Sequence, residues 1–265
     1  MKMSPPILLV YSVFLLQCLE ATEGQLHLRS RSEDSGMKRH DEIEAELKVF
    51  FHYKDLKAGN KMAIYFPRKQ ASHLLSRDES DAIPFSSSRL PSILQLLSFS
   101  EGSKQANAMR DTLHHCEFPP IKGEAKFCAT SLESMLDSLH QILGSSSKLR
   151  VLTTTYLSNP IRLLQNYTVS EAPMEISAPK IVGCHTLPYP YAVFYCHGQE
   201  SDNKLYKVML EGDDGGRVDA AAMCHMDTSQ WDPTHNAFRA LRSLPGASPV
   251  CHFFPADNLV WIPLT

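Results

Sequence analysis

Much that would announce a familiar activity is missing from this chain of 265 residues. Neither sign of charge dominates: 26 Lys and Arg stand against 29 Asp and Glu, so the basic face that binds a nucleic-acid backbone is not expected. No Gly-x-Ser-x-Gly elbow, phosphate-cradling Gly-rich loop or His-Glu-x-x-His helix occurs, which removes the common signatures of serine hydrolases, nucleotide-binding proteins and zinc peptidases. There is no repeat of solenoid length. Beyond residue 24 no apolar run approaches the ~20 residues that cross a bilayer, so no membrane anchor is expected, and no C-terminal retention tetrapeptide is present. What remains, 43% hydrophobic and 21% charged, is the composition of an ordinary globular body. A body of this size can bury a core without disulfide staples. Its seven cysteines therefore call for a reason.

The first part of that reason is compartment. Lys2 precedes an apolar run from Ile7 to Leu19, and Thr22-Glu23-Gly24 follows with small residues. The run is too short to span a membrane but has the length of a signal-peptide core, so residues 1–24 are read as a cleaved secretory signal. Cleavage removes Cys18 and leaves an even set: Cys116, Cys128, Cys184, Cys196, Cys224 and Cys251. An even set in an oxidising compartment points to disulfides. Cys116 and Cys128 flank a turn at Gly123 and are expected to pair; the other four are expected to pair among themselves, in an order that the sequence leaves open. The sequon at Asn166 (Asn166-Tyr167-Thr168) fits the same route.

Residues 25–47 are polar, mixed in charge and without Tyr or Trp, a variable segment that cannot bury enough surface to order itself. The folded domain is expected over 48–265. Two strands joined at Gly59-Asn60 open it, followed by helical patterns near 91–99 and 104–115. The clearest helix starts at Thr130, with Thr130 and Glu133 as its capping box; Leu132, Met135, Leu136, Leu139 and Leu143 form one face, and Gly144 ends it. From residue 149 the pattern becomes that of strands, broken by Pro-containing turns and by Gly212-Asp213-Asp214-Gly215-Gly216, a hairpin turn without the ligand spacing of a calcium loop. A short helix is expected around 234–243. Helices in the first half and strands in the second give an α+β class.

The second part of the reason is a repeated dipeptide. Cys184-His185, Cys196-His197, Cys224-His225 and Cys251-His252 follow one another at intervals of 10, 26 and 25 residues. Successive side chains of a strand point to opposite faces. Four extended Cys-His pairs would thus sort sulfur to one side and imidazole to the other, with two disulfides fixing the backbones behind a histidine metal site. A zinc site mixing thiolate and imidazole is the competing arrangement, and disulfides with incidental histidines the plainest. Imidazole donors without thiolate suit copper or zinc, and an exported site favours copper.

These spaced pairs resemble the signature of the plant BURP-domain proteins, CHx10CHx25–27CHx25–26CH. Phe50-Phe51, the phrase DLKAGNKMAIYFP, Cys116 with the GEAKFCATSLESML segment around Cys128, and the closing CHFFPADNLVWIP are similar to that family as well. The resemblance implies a secreted protein of the apoplast or cell wall, in developing or stressed tissue, whose partner is a wall component or a peptide; oligomeric state is not implied. Some members are copper-dependent cyclases that oxidatively crosslink a Tyr or Trp of a core peptide. By that likeness His185, His197, His225 and His252 are the expected copper ligands, His235 in WDPTHNAF a further ligand or supporting residue, and the cysteines the scaffold. Residues 25–48 hold no Tyr or Trp, so a cyclase activity would act on a separate peptide or on an aromatic of the domain such as Trp231, Tyr189 or Tyr191. No catalytic residue is named by the sequence.

Overall fold

The computed structural model describes residues 47–67, 73–158, 162–200 and 202–264. The expected signal sequence and residues 25–46 of the polar segment lie outside these.

Two short strands, β1 (Phe50–His52) and β2 (Lys61–Tyr65), open the domain. Between them Gly59 takes a left-handed φ of 80°, which glycine adopts without a Cβ penalty. Helices α1 (Arg77–Asp81), α2 (Leu90–Leu96) and α3 (Lys104–Glu117) follow. The hydroxyl of Ser103 accepts the amide of Ala106 and so caps α3 at its start. Strand β3 (Glu124–Ala129) then leads into α4 (Leu132–Leu143). The capping box of α4 sits one residue later than expected. Ser131, not Thr130, has extended backbone and accepts the amide of Ser134 at 3.1 Å. Ser131 is fully buried beneath the turn, and Glu133 instead lends its charge to the first turn, where the helix dipole favours it. Met135, Leu139 and Leu143 are buried as expected, whereas Leu132 is 44% exposed, since the shifted start turns its face to solvent.

The rest is mostly strand: β4 (Leu149–Leu152), β5 (Thr155–Tyr156), β6 (Leu164–Val169), β7 (Met174–Ile176), β8 (Val182–Leu187), β9 (Val193–Gln199), β10 (Asn203–Gly212), β11 (Arg217–His225), helix α5 (Asn236–Leu241), β12 (Val250–Phe253) and β13 (Leu259–Pro263). The class is mixed α and β and rich in sheet. The expected order of helices first and strands second is too simple. β1 and β2 precede the helices, β3 separates α3 from α4, and α5 lies inside the strand-rich half.

The strands form two antiparallel sheets. One runs β1-β12-β11-β10-β6-β2, with β5 added to β11 and β7 to β10; the other runs β3-β9-β8-β13-β4. β11 is buried on both faces. Its Ala220, Ala222 and Cys224 enter a core with Phe51, Ile64, Tyr167 and Phe253. Its Ala221 and Met223 face the other way, into a core shared with Val260 and Ile262 of the second sheet. The second sheet's outer face carries Cys184, Cys196 and Phe194 against Met135 and Leu139 of α4. The Asp-Gly turn closes the β10–β11 hairpin, Gly212 N–H donating to Gly216 O at 2.8 Å. Among the described residues no helix is long and apolar enough to cross a membrane.

Candidate metal centre

Register explains how the Cys-His pairs come together. Cys184 lies directly opposite Cys196 on β8 and β9, and Cys224 directly opposite Cys251 on β11 and β12. Both pairs are disulfide-bonded, with Cα atoms 3.9 Å and 4.0 Å apart, and a third bond joins Cys116 to Cys128 as expected. In an antiparallel pair, a residue one step past each cysteine falls on the opposite face and on the diagonal of the cysteine pair. Accordingly Tyr195 faces His185 and Gly183 faces His197 across one ladder, while Val250 faces His225 and Met223 faces His252 across the other. All four bridging sulfurs are in the cores and are fully buried.

The four imidazoles gather into one cluster. His185 lies 5.5 Å from both His197 and His252, ring centre to ring centre, and His225 lies 5.5 Å from His252 and 6.4 Å from His197. His225 and His252 are nearly parallel, at 17°, with their Nε2 atoms 3.4 Å apart. His185 stacks flat on Phe254, at 6° and 5.1 Å. Burial drives the basicity of these rings down: His185 falls to about 3, and His225 and His252 fall well below the usual imidazole range, each lowered further by the neighbouring histidines. These three rings are neutral near pH 7.

Neighbours fix which nitrogen carries the proton. The Asn203 amide is oriented by its Nδ2 donating to Gln199 O, so its Oδ1 accepts from His225 Nδ1 at 2.8 Å. That leaves the lone pair of His225 on Nε2, facing His252. Glu124 Oε1 accepts from His197 Nδ1 at 3.0 Å and from the Tyr195 hydroxyl at 3.2 Å. Asn258, whose Oδ1 accepts the Thr186 amide at 2.9 Å, stands beside the His185 ring. Such outer partners orient metal-binding imidazoles.

A cleft of about 750 Å³ opens over the cluster, with His115, Phe118, Tyr195, Trp231 and Pro255 among its walls. Trp231 stands 4.9 Å from His225 and 4.7 Å from His235. His235 lines the cleft but accepts the Ala237 amide on Nδ1, capping α5; it touches the cluster through Trp231. Tyr189 also lines the cleft, yet packs on Tyr191 and Phe85, away from the four rings. Glu124, Tyr195, Asn203, Asn258 and His115 escaped the sequence reading, because nothing in their spacing marks them; only strand pairing brings them in. Asn166 is exposed on β6 with its amide on Asp213 Oδ2 at 3.2 Å, apart from this site.

The donor chemistry fits a borderline metal that prefers nitrogen. With all six of these cysteines oxidised, a mixed thiolate and imidazole zinc site is ruled out. Among the described residues, no group of three or more His, Cys, Asp or Glu side chains stands arranged to hold a metal ion.

Comparison with known proteins gives the lineage. Residues 49–263 match the BURP domain. The chain is 47% identical over 222 residues to BURP domain-containing protein BNM2C of Brassica napus, covering 81% of this chain and 79% of that protein. It is 45% identical over 224 residues to BURP domain protein USPL1 of Arabidopsis thaliana, covering 82% and 80% respectively. To BURP domain protein RD22 of Arabidopsis thaliana it is 39% identical over 227 residues, covering 84% of this chain and 57% of that one. With the family's domain matched over most of its length, the chain belongs to the BURP-domain proteins of plants.

Proposed function

We propose that this is an exported plant BURP protein of the apoplast or cell wall that holds copper on the imidazoles of His185, His197, His225 and His252. The observation that carries the reading is the convergence of four histidines from two cross-strand disulfide ladders, three of them kept neutral by burial. The disulfides hold the strands, Asn203 and Glu124 hold the ring orientations, and Phe254 supports His185 from behind. Copper, when bound, would supply one-electron redox chemistry at the floor of the cleft. The direct test is metal analysis and thiol counting on protein secreted from plant cells. Bound copper with no free thiol is expected, and His197→Ala and His225→Ala should each sharply weaken copper binding. A metal-free wild type after copper loading would sink the reading.

The open cleft favours a second reading, oxidative crosslinking of a separate peptide. It is wide enough for a side chain to reach the imidazoles, and the chain's own residues 25–48 offer no Tyr or Trp. Incubating copper-loaded protein with Tyr- and Trp-containing peptides under air should yield products two hydrogens lighter. No mass change across such a set would leave a copper-binding protein without this activity.

A further inference from the structure

The four histidines are not held alike, and the difference singles out Glu124. It begins β3, which pairs with β9 so that Glu124 faces Gln199 and Lys126 faces His197. Both charged side chains therefore stand on the face of His197. Lys126 turns away, its Nζ donating to His115 O at 2.9 Å. Glu124 reaches diagonally to His197, with its side chain only 9% exposed. Its carboxylate takes bonds from the His197 ring, the Ile121 amide and the Tyr195 hydroxyl. His225 has a neutral amide as its partner. Among the described residues, only His197 of the four Cys-His histidines has a carboxylate in an ion-pair contact.

We propose that Glu124 is the positioning residue of this centre: it keeps the proton of His197 on Nδ1, presents Nε2 to the cluster, and makes His197 the most strongly donating of the four imidazoles. The same oxygen takes the Tyr195 hydroxyl, so one carboxylate sets the ligand and the aromatic wall of the cleft together. This assignment rests on the copper reading for its consequence at the metal, and on geometry alone for the tautomer.

Two measurements on the full-length secreted protein separate these layers. In metal-free protein, nitrogen NMR of labelled imidazoles should show His197 as one tautomer with Nδ1 protonated. Glu124→Leu should give a mixture, and Glu124→Gln, which keeps an acceptor oxygen and loses the charge, should shift the Nδ1–H resonance. In Cu(II) titrations Glu124→Gln should weaken binding by about 10- to 100-fold. It should add no further loss in a His197→Ala background that retains residual affinity, because the two act through one contact. Circular dichroism and an intact set of disulfides control for folding; should the leucine variant not fold, the glutamine variant carries the test. If the His197 tautomer and the copper affinity are both unchanged in Glu124→Gln, the positioning role is overturned. If the tautomer responds but wild type takes up no copper, the positioning role stands and the copper reading falls.

Discussion

The two Cys-His ladders are built by one rule and end in different states. Beneath the β11–β12 pair, His225 and His252 lie nearly parallel with Nε2 atoms 3.4 Å apart, both rings buried and His225 held by an amide. Beneath the β8–β9 pair, His185 and His197 are tilted by 46°, one stacked on Phe254 and the other beside a carboxylate at the cleft. The residues directly opposite the rings differ: Val250 and Met223 in the first ladder, Gly183 and Tyr195 in the other. A cross-strand disulfide thus fixes where two histidines stand, 5.5 Å between ring centres in both ladders, and the residues around them decide how the rings are tilted.

The largest expected effect removes the rule itself. Replacing Cys224 and Cys251 by Ala, or Cys184 and Cys196 by Ala, should each destabilise the domain by about 2–5 kcal/mol. The first pair spans 27 residues and the second 12, which by chain entropy makes the β11–β12 ladder the more costly to open by about 0.7 kcal/mol. Urea denaturation of the two double variants gives the order directly. A greater loss at Cys184–Cys196 would reverse it and make the β8–β9 ladder the more constrained.

Next comes pH. His185, His225 and His252 have folded-state pKa values depressed by burial, so the unfolded chain binds protons first as pH falls through about 6.5. Where the unfolded state carries more protons, stability falls with pH. The metal-free protein should lose up to about 1.4 kcal/mol per pH unit for each buried ring below pH 6.5. Glu124, whose pKa is lowered from 4.5, contributes only nearer that value, so the window from pH 6.5 to 5 isolates the histidines. Denaturation midpoints across this window should slope less in His252→Gln than in wild type. Parallel slopes would show that the His225–His252 pair exchanges protons freely when folded.

How much of this was legible beforehand follows from what is local. The alternation of Cys and His, the helix over Leu132–Leu143 and the hairpin at Gly212–Gly216 depend on neighbours in the chain, and periodicity and turn chemistry report them. Sequence spacing gave Cys116 with Cys128 but left the other four open, because register between distant strands decides that Cys224 meets Cys251. Glu124 and Asn203 could not be found at all. Each sits on a strand beside a histidine 73 or 22 residues away, and no motif encodes a contact across strands. The cap of α4 was misplaced by one residue because Thr130 and Ser131 offer the same hydroxyl, and only burial of Ser131 chooses between them.

The smallest effect is the sharpest probe of the contrast between ladders. Gly183 lies on the face of His185 and opposite His197. A Cβ there would stand 3.1 Å from Phe254 Cζ and 3.7 Å from His185 Nε2, so Phe254 would have to give by a few tenths of an ångström. His185 rests flat on that ring. Gly183→Ala should therefore cost about 1 kcal/mol of stability and displace His185 while leaving His225 and His252 in place. Imidazole NMR can follow each ring: shifts confined to His185 and His197 are expected. Equal shifts at His225 and His252 would mean that the two ladders move as one body, and that the glycine does not set the tilt of the His185–His197 pair.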